Sequence, residues 1–277
     1  MLNLKHLVSI FCLFFLVNSV SAQLGFSHEI GVVAGPLQFR SDFGSRNDSK
    51  TNFGNSGIGV GIVHYINFAY RADCNCYTTD TYFNDHFKLR NEISWNRTKL
   101  EHYGKWVGNR TNPDGTTELR NTPEANQLRG HTGVAQNFDI GTQLEFFPLS
   151  IRSFQSFGTR FAPYISLGVH YTSYTPEVKT TYDSPLPDVE LGDVTDSRNF
   201  YSAWAPGSVN ANPGSTWSVV SSVGVRYKVG RLADVVLDMR WQYYFSDWVD
   251  GLNHNLEYNK NNDWLVWVNF GYIIYLN

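Results

Sequence analysis

The residues that could carry chemistry are few and widely spaced. His170 is the best-placed imidazole. It falls on the polar face of an alternating segment, while Asp238 and Glu145 fall on the polar faces of two others. A histidine beside a carboxylate and a nucleophile would suit hydrolysis at a membrane rim. The same position equally suits an interior histidine held in a polar network, and the wider pattern favours that reading. His102 and His131 lie in a long polar connection and are expected to be solvated. Gly57, Gly59 and Gly61 are spaced two apart inside an alternating segment with no amphipathic helix after them, so they do not form the glycine turn of a dinucleotide site. There is no Gly-x-Ser-x-Gly elbow, no HExxH and no phosphate loop. Cys74 and Cys76 are one residue apart, which would make a strained disulfide ring, and no Cys or His pair at zinc-finger spacing accompanies them. The expectation is a chain with no catalytic, cofactor or metal site, and not an enzyme.

The charged residues form a more regular set. Glu29, Lys88, Arg90, Glu92, Asp139, Glu145, Arg226, Lys228, Asp238 and Arg240 share the polar faces with His170: five acids and five bases. Charges withdrawn from water must be paired and hydrogen-bonded. A balanced set predicts a plug of cross-strand salt bridges rather than an ion-selective channel, with Asp139 and Glu92 as candidate partners of Arg240. Glycines on these faces are expected to leave room for lysine and arginine.

The elements that position these side chains are strands. Eight segments alternate with a period of two: about 25–36, 57–70, 86–97, 136–147, 161–174, 216–229, 233–246 and 263–276. In 233–246, Val235, Leu237, Met239, Trp241, Tyr243 and Phe245 oppose Asp238, Arg240 and Gln242. In 57–70, His64 lands among the apolar residues as a local misfit. A water-soluble sandwich also alternates, but here the apolar faces run over 10–12 residues and aromatics such as Trp217, Tyr227, Trp264 and Tyr272 cluster toward strand ends, as a membrane strand requires. The connections alternate as well. Long polar ones fall near 37–56, 98–135, 175–215 and 247–262, and shorter ones near 71–85, 148–160 and 230–232. The predicted fold is all-β: an antiparallel up-and-down transmembrane β-barrel of eight strands, with ten as the alternative count, and long extracellular loops. Eight strands enclose a lumen that side chains fill.

Composition agrees. The chain has 277 residues, 16% aromatic and 17% charged, against roughly 25% charged for an average soluble domain. The net charge of −3 argues against nucleic acid as a partner. Residues 1–22 read as a secretory signal peptide. Lys5 and His6 precede an apolar core, Leu7 to Val17, that is too short to span a bilayer, and Val20-Ser21-Ala22 precede a cut before Gln23. The barrel domain is then 23–277, with 21 basic and 25 acidic residues. In the last segment, Gly271, Ile274 and Leu276 resemble the terminal insertion signal of barrels placed by the outer-membrane assembly machinery, although Asn277 rather than an aromatic residue ends the chain.

Three stretches carry a family resemblance: LGFSHEIGVVAG at the start, LEFFPLSIRSFQSFGTRFAPYISLGVHY in the middle and VNFGYIIYL at the end. The strongest piece runs from Phe146-Phe147-Pro148 through a basic turn with Arg152 and Arg160 to Phe161-Ala162-Pro163-Tyr164. Together these resemble the PorG-like outer-membrane barrels of Gram-negative bacteria that use type IX secretion. The resemblance covers most of the chain after residue 22, but not loops 98–135 and 175–215. It implies a barrel in the outer membrane with a structural or interaction role. Some relatives take part in secretion, which the resemblance does not by itself extend to this chain; the expected partners are outer-membrane lipid and the assembly machinery, with proteins of an envelope or secretion complex as a further candidate. A narrow conduit for small or apolar solutes and a rim-located enzyme are the alternatives.

Overall fold

Strands with one apolar and one polar face can satisfy both by closing into a ring, apolar side out. In the computed structural model, which describes residues 26–46, 48–69, 81–254, 256–259 and 261–276, eight strands do so. They are β1 (Ser27–Arg40), β2 (Ser56–Asn67), β3 (Phe87–Glu101), β4 (His131–Phe146), β5 (Phe161–Tyr174), β6 (Gly214–Gly230), β7 (Ala233–Tyr244) and β8 (Trp264–Tyr275). Each pairs antiparallel with the next. β8 closes on β1 in a register that sets Glu29 opposite Tyr275 and Arg40 opposite Trp264. Eight strands, not ten, make the barrel. Glu177–Thr180 merely extends the sheet beside the outer end of β4, and Asn109–Thr111 with Thr117–Leu119 forms a separate hairpin in a loop.

The ladders outrun the apolar alternation. β1 reaches Arg40, β3 reaches Glu101 and β4 begins at His131, so the connection expected over 98–135 spans 102–130. Lys99 and Glu101 point outward and exposed on this extension. Charged outward residues suit water, so the strands rise above the lipid-type belt before the loops begin. At the opposite end the connections 147–160 and 231–232 are shorter, while 68–86 matches the last outer loop in length. That between β2 and β3 carries a short helix, Tyr82–His86. Cys74, Cys76 and the leader 1–22 lie outside the described residues. Between β4 and β5 a helix over Ile151–Gln155 starts on the Ser150 side chain, which accepts from Ser153 N (3.1 Å), and turns Ile151 and Phe154 into the barrel mouth.

The outer wall is apolar along its middle. Leu167, Ile58 and Phe270 are 64%, 62% and 61% exposed, and Ile62, Ile140, Ile165 and Leu237 continue the belt around the ring. Aromatic pairs mark its margins: Tyr171 on Trp217 (5.3 Å) and Tyr243 on Phe245 toward the long loops, Phe161 on Tyr227 (4.9 Å) and Phe87 on Phe146 (5.1 Å) toward the short turns. A contiguous apolar belt of this extent is unfavourable in water, whereas such a belt between aromatic girdles matches a bilayer. The misfit His64 does face outward. Its Nε2 meets His28 Nδ1 at 3.1 Å and the two rings stack, so the pair satisfies polar atoms at the short-turn margin.

Leu237 lies mid-strand on the belt. Leu237→Arg is expected to destabilise the barrel by about 2–4 kcal/mol, the cost of a cation near the bilayer midplane. Reversible unfolding in liposomes measures it, and a change near zero would mean that this face does not meet lipid.

Candidate functional site: the barrel interior and the loop cap

Inward positions alternate with the belt, so the polar face becomes the lumen. Glu29, Lys88, Arg90, Glu92, Asp139, Glu145, His170, Arg226, Lys228, Asp238 and Arg240 all lie there, each no more than 2% exposed. Asp234 joins them, 0% exposed, making six acids to five bases rather than an equal set. The same parity that places Asp238 inward also places Asp234 inward. Sequence reasoning misses it because it stands at the strand's first residues.

The strongest pairs cross the lumen. Arg240 on β7 grips Glu92 on β3 with both terminal nitrogens at 2.6 Å, joining opposite walls of the ring. Arg226 on β6 meets Glu29 on β1 at 2.6 Å and Asp234 at 3.3 Å, and Lys88 meets Glu29 at 2.6 Å. Arg90 binds Glu92 at 2.7 Å and stands 3.6 Å from Glu145 and 3.7 Å from Asp238. Asp238 also accepts from Tyr164 Oη (2.8 Å) and Asn269 Nδ2 (3.0 Å). Of the two candidate partners for Arg240, Glu92 is the one it meets. Asp139 instead accepts from Thr172 (2.5 Å), Gln242 (2.7 Å) and Asn96 (3.1 Å). Its strand register places it higher in the lumen, among amides and hydroxyls.

The glycines serve rings rather than long cations. A Cβ at Gly59 would lie 2.5 Å from the Trp267 ring, one at Gly224 2.5 Å from the Tyr164 ring, and one at Gly141 2.2 Å from His170. Those rings in turn support the network: Arg240 lies 4.8 Å from the centre of Trp267, and Tyr164 donates to Asp238. Arg226 lies 4.1 Å over Tyr65 and Lys228 3.8 Å over Tyr275. Gly271 also faces inward, packed against Val236 and Val33, while Ile274 and Leu276 point out to the belt. His170 shares a hydrogen bond with the Gln143 amide (3.3 Å) and is fully enclosed. Among the described residues no His, Cys, Asp and Glu group is arranged to hold a metal.

Both mouths are closed. Phe147, Ile151 and Phe154 fill the short-turn end, and Phe39, Tyr244 and Leu265 fill the other. Above these the four long loops fold into a cap. His102 and His131 are buried in it, not solvated: they share a hydrogen bond (3.0 Å), and the Phe43 ring stacks on His131 at 4.9 Å. Contacts between distant loops bury them, which no local pattern announces. Burial holds His102 well below the usual imidazole range and His254 down at about 4, so both are neutral. Beside them Arg46 binds Asp42 (2.8 Å), Asp247 (3.1 Å) and Asp263 (3.3 Å), and Asp42 N donates to Asp250 (2.8 Å). Burial pushes Asp42 up to about 6 and Asp247 up to about 7, the latter with help from Asp42's charge, while Arg46 opposes both shifts.

Arg240→Ala removes the bridge between opposite walls and leaves Glu92 with Arg90 as its remaining cation, so it is expected to destabilise the barrel by at most about 3–5 kcal/mol, the range for a buried pair broken with no second partner. Arg240→Lys keeps the charge but loses the two-pronged contact and should fall between; unfolding midpoints in detergent compare the three. The cap has its own pH dependence. Asp42 and Asp247 hold protons more tightly folded than unfolded, so their contribution to cap stability is full below about pH 4 and is lost as pH rises through 6 to 7, whereas the buried neutral His102 and His254 give the opposite slope below about pH 6.5. Val249 N and Asp250 N donate to Asp263 (3.1 and 3.3 Å) and report on the cap. Their hydrogen-exchange protection, corrected for intrinsic rate, should drop between about pH 6.5 and about pH 8, where the cap histidines are neutral folded and unfolded and only the acids still titrate. Asp247→Asn should flatten that drop.

No family model and no curated protein matches the chain. Among solved structures it is similar to Neisserial surface protein A, at 10% identity over 89% of this chain and 96% of that one, with a TM-score of 0.41. It is also similar to the outer membrane protein OprG from Pseudomonas aeruginosa, at 12% identity over 90% and 97%, with a TM-score of 0.37. A third similar structure is a major outer membrane protein from Thermus thermophilus, at 13% identity over 90% and 99%, with a TM-score of 0.41. The assignment of a closed eight-strand barrel rests on the chain's own ladders.

Proposed function

We propose that this chain is an integral barrel of the outer membrane of a Gram-negative bacterium, with a structural or interaction role performed by its loop cap. The observation that carries this reading is the Arg240–Glu92 bridge between opposite walls, flanked by the Arg226–Glu29 pair and closed mouths. A narrow lumen crossed by ion pairs at 2.6 Å supports a plugged barrel over a conduit, and the enclosure of His170 supports a packing role over catalysis. Lipid meets the apolar belt. The outward Ile274 and Leu276 of the final strand suit recognition by the assembly machinery. The resemblance to PorG-like barrels supports a contact with envelope or secretion-complex proteins, made by the polar loop surface.

Fractionation and conductance test the reading together. The protein should stay with the membranes through a carbonate wash, and the purified barrel in planar bilayers should show no steady large conductance. Release into the soluble fraction defeats the membrane assignment, and a large open conductance promotes the conduit in its place. Crosslinking and co-purification from native membranes should then recover a defined envelope partner through the long loops; recovery of the barrel alone would remove the accessory role.

A further inference from the structure

Within the cap is a cavity of about 280 Å³ to which all four long loops contribute. Asp42 and Ser45 come from the first, Tyr103 and Trp106 from the second, Tyr201 and Trp204 from the third, and His254, Glu257 and Asn259 from the fourth. Four aromatic residues therefore line one small space. The groups beneath it are fixed: Trp204 stacks on His254 (5.4 Å), and Asn259 donates to the Asp42 and Gly44 carbonyls (3.3 and 2.7 Å).

The charge of the lining has one sign. Asp42 and Glu257 line the cavity, and no lysine or arginine does among the described residues. Asp42 is 0% exposed; its Oδ1 binds Arg46, but its Oδ2 accepts no hydrogen bond. Behind Asp42 the single Arg46 guanidinium is shared with Asp247 and Asp263, and Asp250 stands beside them; burial raises Asp250 and Asp263 well above the usual carboxylate range, so no second cation is needed to offset them and the cavity keeps the charge of Asp42 and Glu257. The histidines add no opposing charge, since burial keeps both His102 and His254 neutral. Aromatic faces attract cations through the ring quadrupole, and Trp106 already carries the Lys105 ammonium 4.8 Å from its ring centre. An anionic ligand would meet unpaired carboxylate charge, whereas a cation finds both rings and an unsatisfied acceptor.

The geometry points to a binding site for a small organic cation, a quaternary or protonated amine, in the aromatic cavity where the four outer loops converge. The ammonium is held by the rings and by the field of Asp42 and Glu257, in the manner of aromatic-cage recognition. The site stands whether or not the barrel has an envelope partner.

Calorimetric titration of the folded, full-length barrel in a maltoside detergent, which carries no ammonium group, tests it. The probes are choline and 3,3-dimethyl-1-butanol, a neutral isostere that keeps the shape and removes the charge. Choline should bind saturably at one site, and the isostere about tenfold or more weakly. Asp42→Asn should weaken choline about tenfold and leave the isostere unchanged. Trp106, 42% exposed at the rim, can be removed without opening the interior, so Trp106→Ala keeps the test decisive if Asp42→Asn disturbs the cap; it too should weaken choline. Phosphocholine separates two sources of the same ammonium: binding equal to choline assigns the site to a lipid headgroup, and weaker binding assigns it to a free amine. Equal binding of choline and its neutral isostere, saturable binding of glucose instead of choline, or no saturable choline binding at all would overturn the inference.

Discussion

A guanidinium can sit in the middle of a narrow barrel if carboxylates reach it from other strands, and this constraint organises the molecule. Withdrawing a cation from water costs several kcal/mol even after relaxation, and attraction in the interior repays that cost when geometry is good. Arg240 meets the condition with two parallel contacts to Glu92 and a ring, Trp267, beside its plane. Arg226 meets it with Glu29, Asp234 and the Tyr65 face. Because β3 and β7 face each other across the ring, the Arg240 bridge spans the lumen whose width the eight strands set. A barrel tied in this way has a lumen occupied by its own side chains, and its wall and its cap are the surfaces it presents.

The glycines follow from the same constraint. A wide indole or phenol pointing inward needs an inward position without a Cβ nearby, and Gly59, Gly224 and Gly141 supply it for Trp267, Tyr164 and His170. The ring then orders the charged groups: Trp267 flanks Arg240, and Tyr164 holds Asp238. Glycine, ring and ion pair form successive layers of one packing solution. The absence of side chains in Gly57-x-Gly59-x-Gly61 is thus an architectural requirement and owes nothing to nucleotide chemistry.

The cap repeats the theme with a different balance. In the lumen acids and bases are nearly matched, while in the cap several carboxylates share Arg46. Burial raises the proton affinity of Asp42 and Asp247, so the cap tolerates its excess of acids partly by keeping protons. An acid-rich, aromatic-lined hollow is the consequence at the surface. A rigid barrel that presents long loops is the arrangement in which a scaffold positions variable segments.

Local patterning determined a good deal by itself. A two-residue period is a backbone property, so alternation in segments such as 86–97 and 233–246 already assigned Lys88, Glu92, Asp238 and Arg240 to one face and Leu89, Ile93, Leu237 and Met239 to the other. Apolar runs longer than ordinary globular strands, with aromatics at their ends, set which face meets lipid. Partner choice was not local. Lys88 stands in register with Glu145 on the neighbouring strand yet binds Glu29 across β2, and Arg240 takes Glu92 rather than Asp139, because barrel curvature brings inward side chains together across the ring. The loops were the least legible part. His102 and His131 look like solvated loop residues until Phe43 and Trp204 arrive from distant segments to bury them. Period and composition decide what each strand shows to lipid. Which charges meet, which rings fill the glycine gaps and what the loops enclose depend on contacts between residues far apart in the chain, and closure of the ring creates those contacts.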